Sequence, residues 1–353
     1  MSGIAVLGRV WRGDGQVFDP GLLLVDRHGV VDWLGPAGLF GTGLLSGAQL
    51  PGLRLLRGAW VGPALVDRHV HLAFGDYGGM LAGGVASVRD LGAPLQRALA
   101  WRRNSPVPGG GGAGTMVQIA GPVLTAPGGY PANGWGADGF ALPVATVAAA
   151  VQAVRRLAAA DVDVIKLALE PAGRQPVPSP EVATAVVRAS HDAGIPVIAH
   201  ALTAAMVARA LDAGVDELAH TPTEALPPPL VHRIAAAGVR VVSTIETLRG
   251  YSGSAVEANA AALVAAGVPL VYGTDLGNAG TRPGADPREL EHLAAAGLGR
   301  DRALRAAVRP LTPGTPAAVV VLDRDPLVDP SAWLHPLAVV AGTTVIERPA
   351  RAT

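Results

Sequence analysis

Residues 180–220 read PEVATAVVRASHDAGIPVIAHALTAAMVARALDAGVDELAH, and this stretch repeats one pattern twice. Each repeat has an Ala-rich helical segment, a glycine (Gly194, Gly214), a short apolar run and a histidine (His200, His220). Glycine just past a helix is a common stop signal, because it adopts the left-handed conformation without strain. A short apolar run after such a stop is typical of a buried strand. The pattern therefore predicts alternating helices and strands, with a histidine at the carboxyl end of each of these two strands.

The same alternation extends over most of the chain. The strand candidates are Trp60–Val66, Val85–Arg89, Met116–Ala120, Val162–Leu167, Pro196–Ala199, Val215–Ala219, Val239–Thr244 and Val268–Thr274. Strand and helix repeated about eight times predict an α/β fold, a (β/α)8 TIM barrel of ~250 residues. We expect the barrel to span residues 61–308. Residues 1–60 and 309–353 have short apolar runs between Gly, Asp and Pro turns, and we expect them to form a small β-sandwich domain together.

Composition excludes several classes of function. The 353 residues are 50% hydrophobic and 16% charged, with a net charge of zero and a pI near 7.2. Basic residues are scattered, so no nucleic-acid partner is expected. The chain has no cysteine, which leaves any metal to histidine, carboxylate or carbamate ligands. Neither a signal peptide nor an apolar run of about 18 residues is present, so we expect a soluble cytoplasmic protein with no membrane partner.

Chemistry-bearing residues gather at the carboxyl ends of the predicted strands. In a barrel these ends face one common site. The residues concerned are His69, His71, Lys166, His200, His220 and Asp275. His69 and His71 lie two apart on a strand, so their side chains point the same way. Four of the nine histidines, a carboxylate and the lysine on one rim indicate a metal site.

Lys166 is the only lysine, since every other member of the 28 Lys and Arg residues is arginine. It lies in the apolar run 161–169, which predicts a buried strand. A buried lysine can lose its proton, whereas arginine stays charged. The neutral amine could form a Schiff base with a carbonyl substrate. It could also take up carbon dioxide and become a carbamate, an anionic ligand that bridges metals.

The chain resembles the amidohydrolase superfamily of metal-dependent hydrolases, in particular its prolidase-like and imidazolonepropionase-like two-metal groups. Relatives open the barrel with an apolar Pro-Gly-x-x-Asp-x-His-x-His, and this chain has Gly62-Pro63-Ala64-Leu65-Val66-Asp67-Arg68-His69-Val70-His71. The run Val164-Ile165-Lys166 resembles the carbamylated lysine on strand four. Ile198-Ala199-His200, Leu218-Ala219-His220 and Gly273-Thr274-Asp275 resemble the signatures of strands five, six and eight. The resemblance covers nearly the whole chain.

The resemblance implies a role for each of these residues. One divalent ion would be held by His69, His71 and Asp275, a second by His200 and His220, and Lys166, carbamylated by CO2, would bridge both. Zinc is favoured by the imidazole and oxygen ligands, with manganese, cobalt, nickel or iron as alternatives. Asp275 would be the catalytic group that orients a metal-bridging hydroxide and takes its proton. The implied reaction is cleavage of an amide, lactam or related C–N bond in a small molecule such as an acylated amino acid, dipeptide or cyclic amide.

Three other functions stay open at this stage. The same site could hydrolyse a phosphoester or lactone, or catalyse decarboxylation or dehydration, because the family determines the scaffold more firmly than the reaction. A metal-free aldolase could use Lys166 as a Schiff base, but it would leave the four histidines without a purpose. A non-catalytic binding protein on an inherited scaffold is a further alternative. Relatives often self-associate, so the resemblance allows a homo-oligomer, although the sequence does not determine the oligomeric state.

Weaker candidates lie in the loops. Residues 122–140 follow strand three and are rich in Gly and Pro, so we expect a lid over the site. Within it, Tyr130 stands where some relatives have histidine, and we expect it to contact substrate. Arg282, which follows Asp275, could bind a substrate carboxylate by a two-pronged contact. Arg89 and Asp90 are expected either near the site or as an internal ion pair.

Overall fold

The computed structural model describes residues 3–40, 52–75, 77–105, 114–251 and 253–348. The strands are β1 (Gly3–Trp11), β2 (Val17–Val25), β3 (Val31–Pro36), β4 (Leu53–Pro63), β5 (Leu65–Val70), β6 (Val85–Asp90), β7 (Met116–Ile119), β8 (Val123–Thr125), β9 (Ala141–Pro143), β10 (Ile165–Ala168), β11 (Val197–His200), β12 (Glu217–Leu218), β13 (Arg240–Val242), β14 (Leu270–Val271), β15 (Ala318–Leu322), β16 (Ala338–Ala341) and β17 (Thr344–Glu347). The α-helices are α1 (Leu95–Arg103), α2 (Val147–Ala159), α3 (Pro180–Asp192), α4 (Ala204–Ala213), α5 (Pro228–Ala236), α6 (Ile245–Leu248), α7 (Val256–Ala265), α8 (Pro287–Leu293) and α9 (Gly299–Ala306).

The two ends of the chain build one sheet. Its order is β17-β16-β15-β4-β1-β2-β3, so strands from both termini meet at β4, which is parallel to β1 and antiparallel to β15. Alternate residues of β15 face opposite sides, because side chains alternate along a strand. Val319 and Val321 join a small apolar cluster of this sheet, while Val320 and Leu322 join the main core. The described strands thus form one continuous sheet, and its division into two sandwich layers, like the exact domain boundaries, stays a prediction.

The central part of the chain forms two parallel sheets. Their orders are β14-β13-β12-β11-β10-β8-β9 and β5-β6-β7. The mixed α/β class predicted from the sequence is therefore confirmed, with helices between β6 and β7 and in every connection from β9 to β14. Backbone hydrogen bonds link the two sheets on both sides, from Asp163 N to Ile119 O (2.9 Å) and from Arg68 N to Tyr272 O (3.1 Å). Strand pairing among the described residues nevertheless stays in two sheets and does not record a closed barrel.

The observed bounds differ by a few residues from those predicted, and two of the predicted strands also differ in how they join the sheets. The first barrel strand was expected at Trp60–Val66, but β4 carries Trp60 into the terminal sheet and β5 begins only at Leu65. The third, expected at Met116–Ala120, is β7, and a further short strand, β8, follows it after the left-handed Gly121 (φ 72°). It is β8, not β7, that pairs with β10.

The helices begin and end where their local sequence predicts. Thr146, Ser179 and Thr203 cap α2, α3 and α4, each accepting a hydrogen bond from a backbone N–H of the first turn. The predicted glycine stops Gly194 and Gly214 have positive φ angles, and so do Gly238 and Gly267, which follow α5 and α7. These local signals keep the connections short, so that each strand delivers its last residue to the same edge of the sheet. In the part of the chain that the structure describes, no helix is long and apolar enough to span a membrane.

Candidate metal centre

The carboxyl ends of the parallel strands meet at one cavity of about 550 Å³. Its walls include His71 after β5, Lys166 on β10, His200 at the end of β11, His220 after β12 and Asp275 after β14. His69 lies directly behind this wall and is fully buried. The structure therefore brings together all six residues that the sequence placed on one rim.

Three donor atoms in the site form a nearly equilateral triangle. His69 Nε2 lies 3.4 Å from His71 Nε2 and 3.3 Å from Asp275 Oδ1, and His71 Nε2 lies 3.4 Å from the same oxygen. Ligand atoms at ~2.0–2.1 Å from a tetrahedral ion are ~3.3–3.4 Å apart. The spacing of the triangle is therefore that of three ligands on one divalent ion. His220 belongs to the same group, since one donor atom each from His69, His220 and Asp275 lie within 4.8 Å of one another.

Outer contacts orient two of the imidazoles. His69 Nδ1 lies 2.8 Å from Ala219 O, so this nitrogen carries the proton and Nε2 keeps its lone pair for the triangle. His220 Nδ1 lies 3.0 Å from Thr244 Oγ1, which leaves Nε2 as its binding atom. Thr244 has a φ of 42°, a left-handed conformation that a β-branched residue rarely adopts. The strained backbone places this hydroxyl against the imidazole.

Burial keeps the histidines neutral. It lowers the pKa of His71 to about 3 and holds the pKa values of His69, His200 and His220 below the ordinary imidazole value. Mutual repulsion with Lys166 and the neighbouring imidazoles lowers these values further. A neutral imidazole has the lone pair that metal binding requires. These four side chains are therefore ready to bind a metal at neutral pH.

Burial also brings the pKa values of Lys166 and Asp275 close to each other. It lowers the pKa of Lys166 to about 7 and raises the pKa of Asp275 to about 7, while attraction between the two groups opposes both changes. Lys166 Nζ, Asp275 Oδ1 and His200 Nε2 are buried and have no hydrogen-bond partner among the described residues. Buried polar atoms without partners are rare and need an explanation, such as an ion. The donor set and these orphaned atoms therefore fit a divalent metal centre.

Asp67 connects β5 to the turn that follows β14. Its Oδ1 accepts hydrogen bonds from His69 N (3.1 Å) and Thr274 N (3.0 Å), and its Oδ2 accepts one from Thr274 Oγ1 (2.5 Å). Asp275 N donates to His69 O (2.8 Å), and Asp275 has a positive φ of 56°. These bonds connect the His-x-His strand to the turn that carries Asp275, and so maintain the triangle.

The two predicted substrate contacts have different positions. Tyr130 lines the metal cavity, with its ring 4.9 Å from the His200 ring, and burial raises its pKa to about 12 so that the hydroxyl stays protonated. Arg282 instead lines a separate cavity with Trp333 and Arg348. The structure thus keeps Tyr130 as a candidate contact and does not bring Arg282 to the metal cavity. The loop 122–140 forms β8 and a series of turns beside the site, and its movement as a lid stays a prediction.

An aromatic wall was missed by sequence reasoning. The Trp135 ring lies 5.0 Å from the His71 ring and 5.6 Å from Phe74, and Trp135 Nε1 donates to Tyr130 Oη (3.1 Å). Tyr251 lines the same cavity. Aromatic residues in loops have no periodic pattern, so only their position after the strands could have indicated them.

Two carboxylates also escaped prediction. Glu170, just after β10, lines the cavity and is mostly buried. Glu217 on β12 forms a buried ion pair with Arg89, which therefore does not pair with its neighbour Asp90. Asp90 instead accepts hydrogen bonds from the backbone N–H groups of Leu72 (2.8 Å) and Gly92 (3.2 Å). Glu217 lies on a predicted strand and Glu170 follows one, so the sequence indicated their position near the strand ends but not the direction of their side chains.

No protein-family model and no curated protein matches this chain. Solved structures do match over almost its whole length. A Xaa-Pro dipeptidase with bound methionine has a TM-score of 0.82 at 20% identity, covering 98% of this chain and 100% of the other. A putative prolidase from Bifidobacterium longum has a TM-score of 0.79 at 23% identity, covering 99% and 95%. The ochratoxinase of A. niger has a TM-score of 0.78 at 19% identity, covering 99% and 96%. At these identities the likeness shows a shared fold.

Proposed function

We propose that this protein is a metal-dependent hydrolase of the amidohydrolase superfamily, which cleaves an amide, lactam or related C–N bond of a small molecule. The observation that carries the proposal is the triangle of His69, His71 and Asp275 at ligand spacing. It lies in one cavity with neutral His200 and His220 and the unpartnered amine of Lys166. The matching folds of a dipeptidase, a prolidase and an ochratoxinase support the class.

The proposal includes a closed (β/α)8 barrel. Its support is the backbone hydrogen bonding at both junctions of the two parallel sheets, where Asp163 meets Ile119 and Arg68 meets Tyr272. A barrel open at either junction would expose unpaired strand edges. A closed barrel also explains why His69 on β5 lies next to Asp275, which follows β14.

The residues divide into two ligand sets. His69, His71 and Asp275 would hold one divalent ion, and His200 and His220 a second, with zinc favoured by the imidazole and oxygen ligands. Lys166 would bridge the two as a carbamate. Its neutral amine would attack the carbon of carbon dioxide: a C–N bond forms, one C=O π bond breaks to give the negatively charged carbamate oxygen, and one N–H proton is lost to water. Burial favours this reaction, because it lowers the pKa of Lys166 to about 7 and so supplies neutral amine.

The chemistry of the site then depends on proton movement at Asp275. When bound, the ions would lower the pKa of a water and polarise the substrate carbonyl. Burial raises the pKa of Asp275 to about 7 in the metal-free protein. In the loaded site its carboxylate would take a proton from water and return it to the leaving nitrogen. Since Oδ1 of Asp275 belongs to the ligand triangle, the other oxygen of its carboxylate would be the one that carries the proton.

The cavity supports a substrate that carries an apolar or aromatic group. Phe74, Trp135, Tyr130 and Tyr251 supply aromatic surface next to the ligands. A volume of about 550 Å³ lies within the range of small-molecule sites. Tyr130 Oη is a protonated donor that can bind an acyl or amide oxygen. Among the described residues of the cavity there is no arginine to bind a substrate carboxylate.

Metal analysis combined with an activity screen tests the proposal. The purified protein should contain about two divalent ions per chain by mass spectrometry, and should hydrolyse members of a panel of N-acyl amino acids, N-acyl anilides, dipeptides and lactams. A chelator should abolish the activity, and zinc should restore it. A protein that binds two ions but cleaves no substrate of the panel would contradict the proposed reaction.

The bridging role of Lys166 has its own test. Lys166→Ala should lose activity and metal content, and short carboxylic acids should partly restore both, since they can replace a bridging carboxylate. Arg188→Ala, on the exposed side of α3, is the matched control and should behave as wild type. Full turnover with two ions in Lys166→Ala would rule out the carbamate.

A further inference from the structure

Glu170 is a buried carboxylate that none of the roles above uses. It follows β10 by two residues and lines the metal cavity, and its side chain is only 12% exposed. Its Oε2 lies 3.6 Å from His200 Nε2. Both atoms are buried without a hydrogen-bond partner among the described residues. Two facing polar atoms, both unsatisfied, point to a missing group between or beside them.

The separation of the two atoms identifies that group. A direct N–H···O hydrogen bond is about 2.7–3.2 Å long, so 3.6 Å is too long for one. Two ligands of one tetrahedral ion are ~3.3–3.4 Å apart, and a wider angle at the ion brings them to ~3.6 Å. The His69, His71 and Asp275 triangle in the same cavity has sides of 3.3–3.4 Å. The pair of Glu170 and His200 therefore repeats the spacing of the first ligand set.

We propose that Glu170 is a ligand of the second ion, together with His200 and His220. The inference rests on the metal centre of the proposed function and adds a residue to it. A carboxylate at this place gives the second ion an anionic ligand that does not depend on carbon dioxide. Lys166, as a carbamate, and Glu170, as a permanent carboxylate, would then both contribute negative charge that balances the positive charge of the second ion.

The test measures metal binding, independently of turnover. Chelated protein is titrated with Zn²⁺ and with Co²⁺, by calorimetry and by the visible absorption of bound Co²⁺. Glu170→Gln keeps the size and hydrogen-bonding ability of the side chain but loses the anionic ligand. We expect the first ion to bind as in wild type and the second to bind at least about 10-fold more weakly, the smallest effect seen for lost outer contacts. The Co²⁺ spectrum of the second site should change as well.

Two further variants make the result specific. Glu291→Gln removes the same charge from an exposed position on α8 and should bind both ions as wild type does. Glu170→Asp keeps a carboxylate on a shorter side chain and should fall between wild type and Glu170→Gln. Circular dichroism checks that each variant is folded. If Glu170→Gln does not fold, the metal titration of Glu170→Asp replaces it as the test.

The outcomes separate this inference from the proposed reaction. Two ions bound by Glu170→Gln with wild-type affinity and an unchanged Co²⁺ spectrum would overturn the inference, and so would a wild-type protein that binds no second ion. If wild type binds two ions but hydrolyses nothing, the proposed reaction fails, while the weakened second site of Glu170→Gln still supports Glu170 as a ligand.

Discussion

Replacing Asp67 with asparagine should stabilise the metal-free protein at neutral pH. Asp67 is fully buried, and its three hydrogen bonds come from His69 N, Thr274 N and Thr274 Oγ1. The carbonyl of asparagine can accept the two backbone bonds, which share one oxygen, and its amide can donate to the hydroxyl. The variant therefore keeps every contact and removes only the ionisable group.

The size of the effect follows from the pKa of Asp67. Burial raises it from 3.8 to about 6. One pKa unit corresponds to about 1.36 kcal/mol, so the shift amounts to about 3 kcal/mol. Below about pH 4 the carboxyl is protonated in the folded and unfolded states, and no penalty exists. As the pH rises to about 6, the unfolded chain ionises first and wild type loses stability, and above about pH 6 the loss stays constant at about 3 kcal/mol.

Urea unfolding of chelated protein across this range measures the difference. The free energy of unfolding of Asp67→Asn should match wild type near pH 4 and exceed it by up to about 3 kcal/mol near pH 8. A difference that does not change with pH, or a variant less stable than wild type at pH 8, would refute the reasoning.

Asp90→Asn is the matched control. Burial raises the pKa of Asp90 to about 6 as well, but each of its two oxygens accepts a separate backbone N–H, from Leu72 and Gly92. Asparagine has only one oxygen, so its amide would face one of these donors. The variant should lose about 1–3 kcal/mol near pH 4, because a buried donor is left unpaired. The two variants remove the same charge, so their difference isolates the hydrogen bonds.

Two further predictions concern the surroundings of the metal centre. Thr244→Val removes the hydroxyl that orients His220, and should weaken metal binding about 10- to 100-fold in a Zn²⁺ titration. Its control is Thr221→Val, because the buried Thr221 hydroxyl has no partner among the described residues and should not affect metal affinity; equal affinities in both variants would contradict the orienting role. Arg89→Met removes the buried partner of Glu217 and leaves it only the half-exposed Arg240, whose Nε lies 3.2 Å from Glu217 Oε2. The free energy of unfolding in urea should therefore fall by about 3 kcal/mol, the lower end for a broken buried pair. A loss below about 1 kcal/mol would show that this pair is not important for stability.

The four candidate histidine ligands could be predicted because they depend on local patterns. The carboxyl ends of parallel strands meet at one edge, so a histidine after each apolar run indicated a shared site without any knowledge of distances. His200 and His220 could be assigned to the site because each follows a glycine stop and a short apolar strand. His69 and His71 could be assigned because residues two apart on a strand point the same way. The structure brings these four residues to one cavity, as the patterns predicted.

The contacts that could not be predicted depend on long-range packing. Arg89 pairs with Glu217, 128 positions away, rather than with its neighbour Asp90, because β6 and β12 lie on different sheets that meet in the core. Glu170 lies past the end of its strand, where no period tells which way a side chain points. Arg282 follows Asp275 closely in sequence, yet the turn between them directs it to another cavity.

The position of β15 has a consequence for the newly made protein. This strand pairs Val319–Leu322 with Trp60–Pro63 on β4, and β4 leads through Ala64 into the strand that carries His69 and His71. A chain whose first 300 residues have been made contains every proposed metal ligand, but not the strand that covers the edge of β4. During synthesis the ligands are therefore complete before their support is. Metal captured at that stage would bind to a scaffold that still lacks one edge, and its release should slow sharply once the last segment has docked.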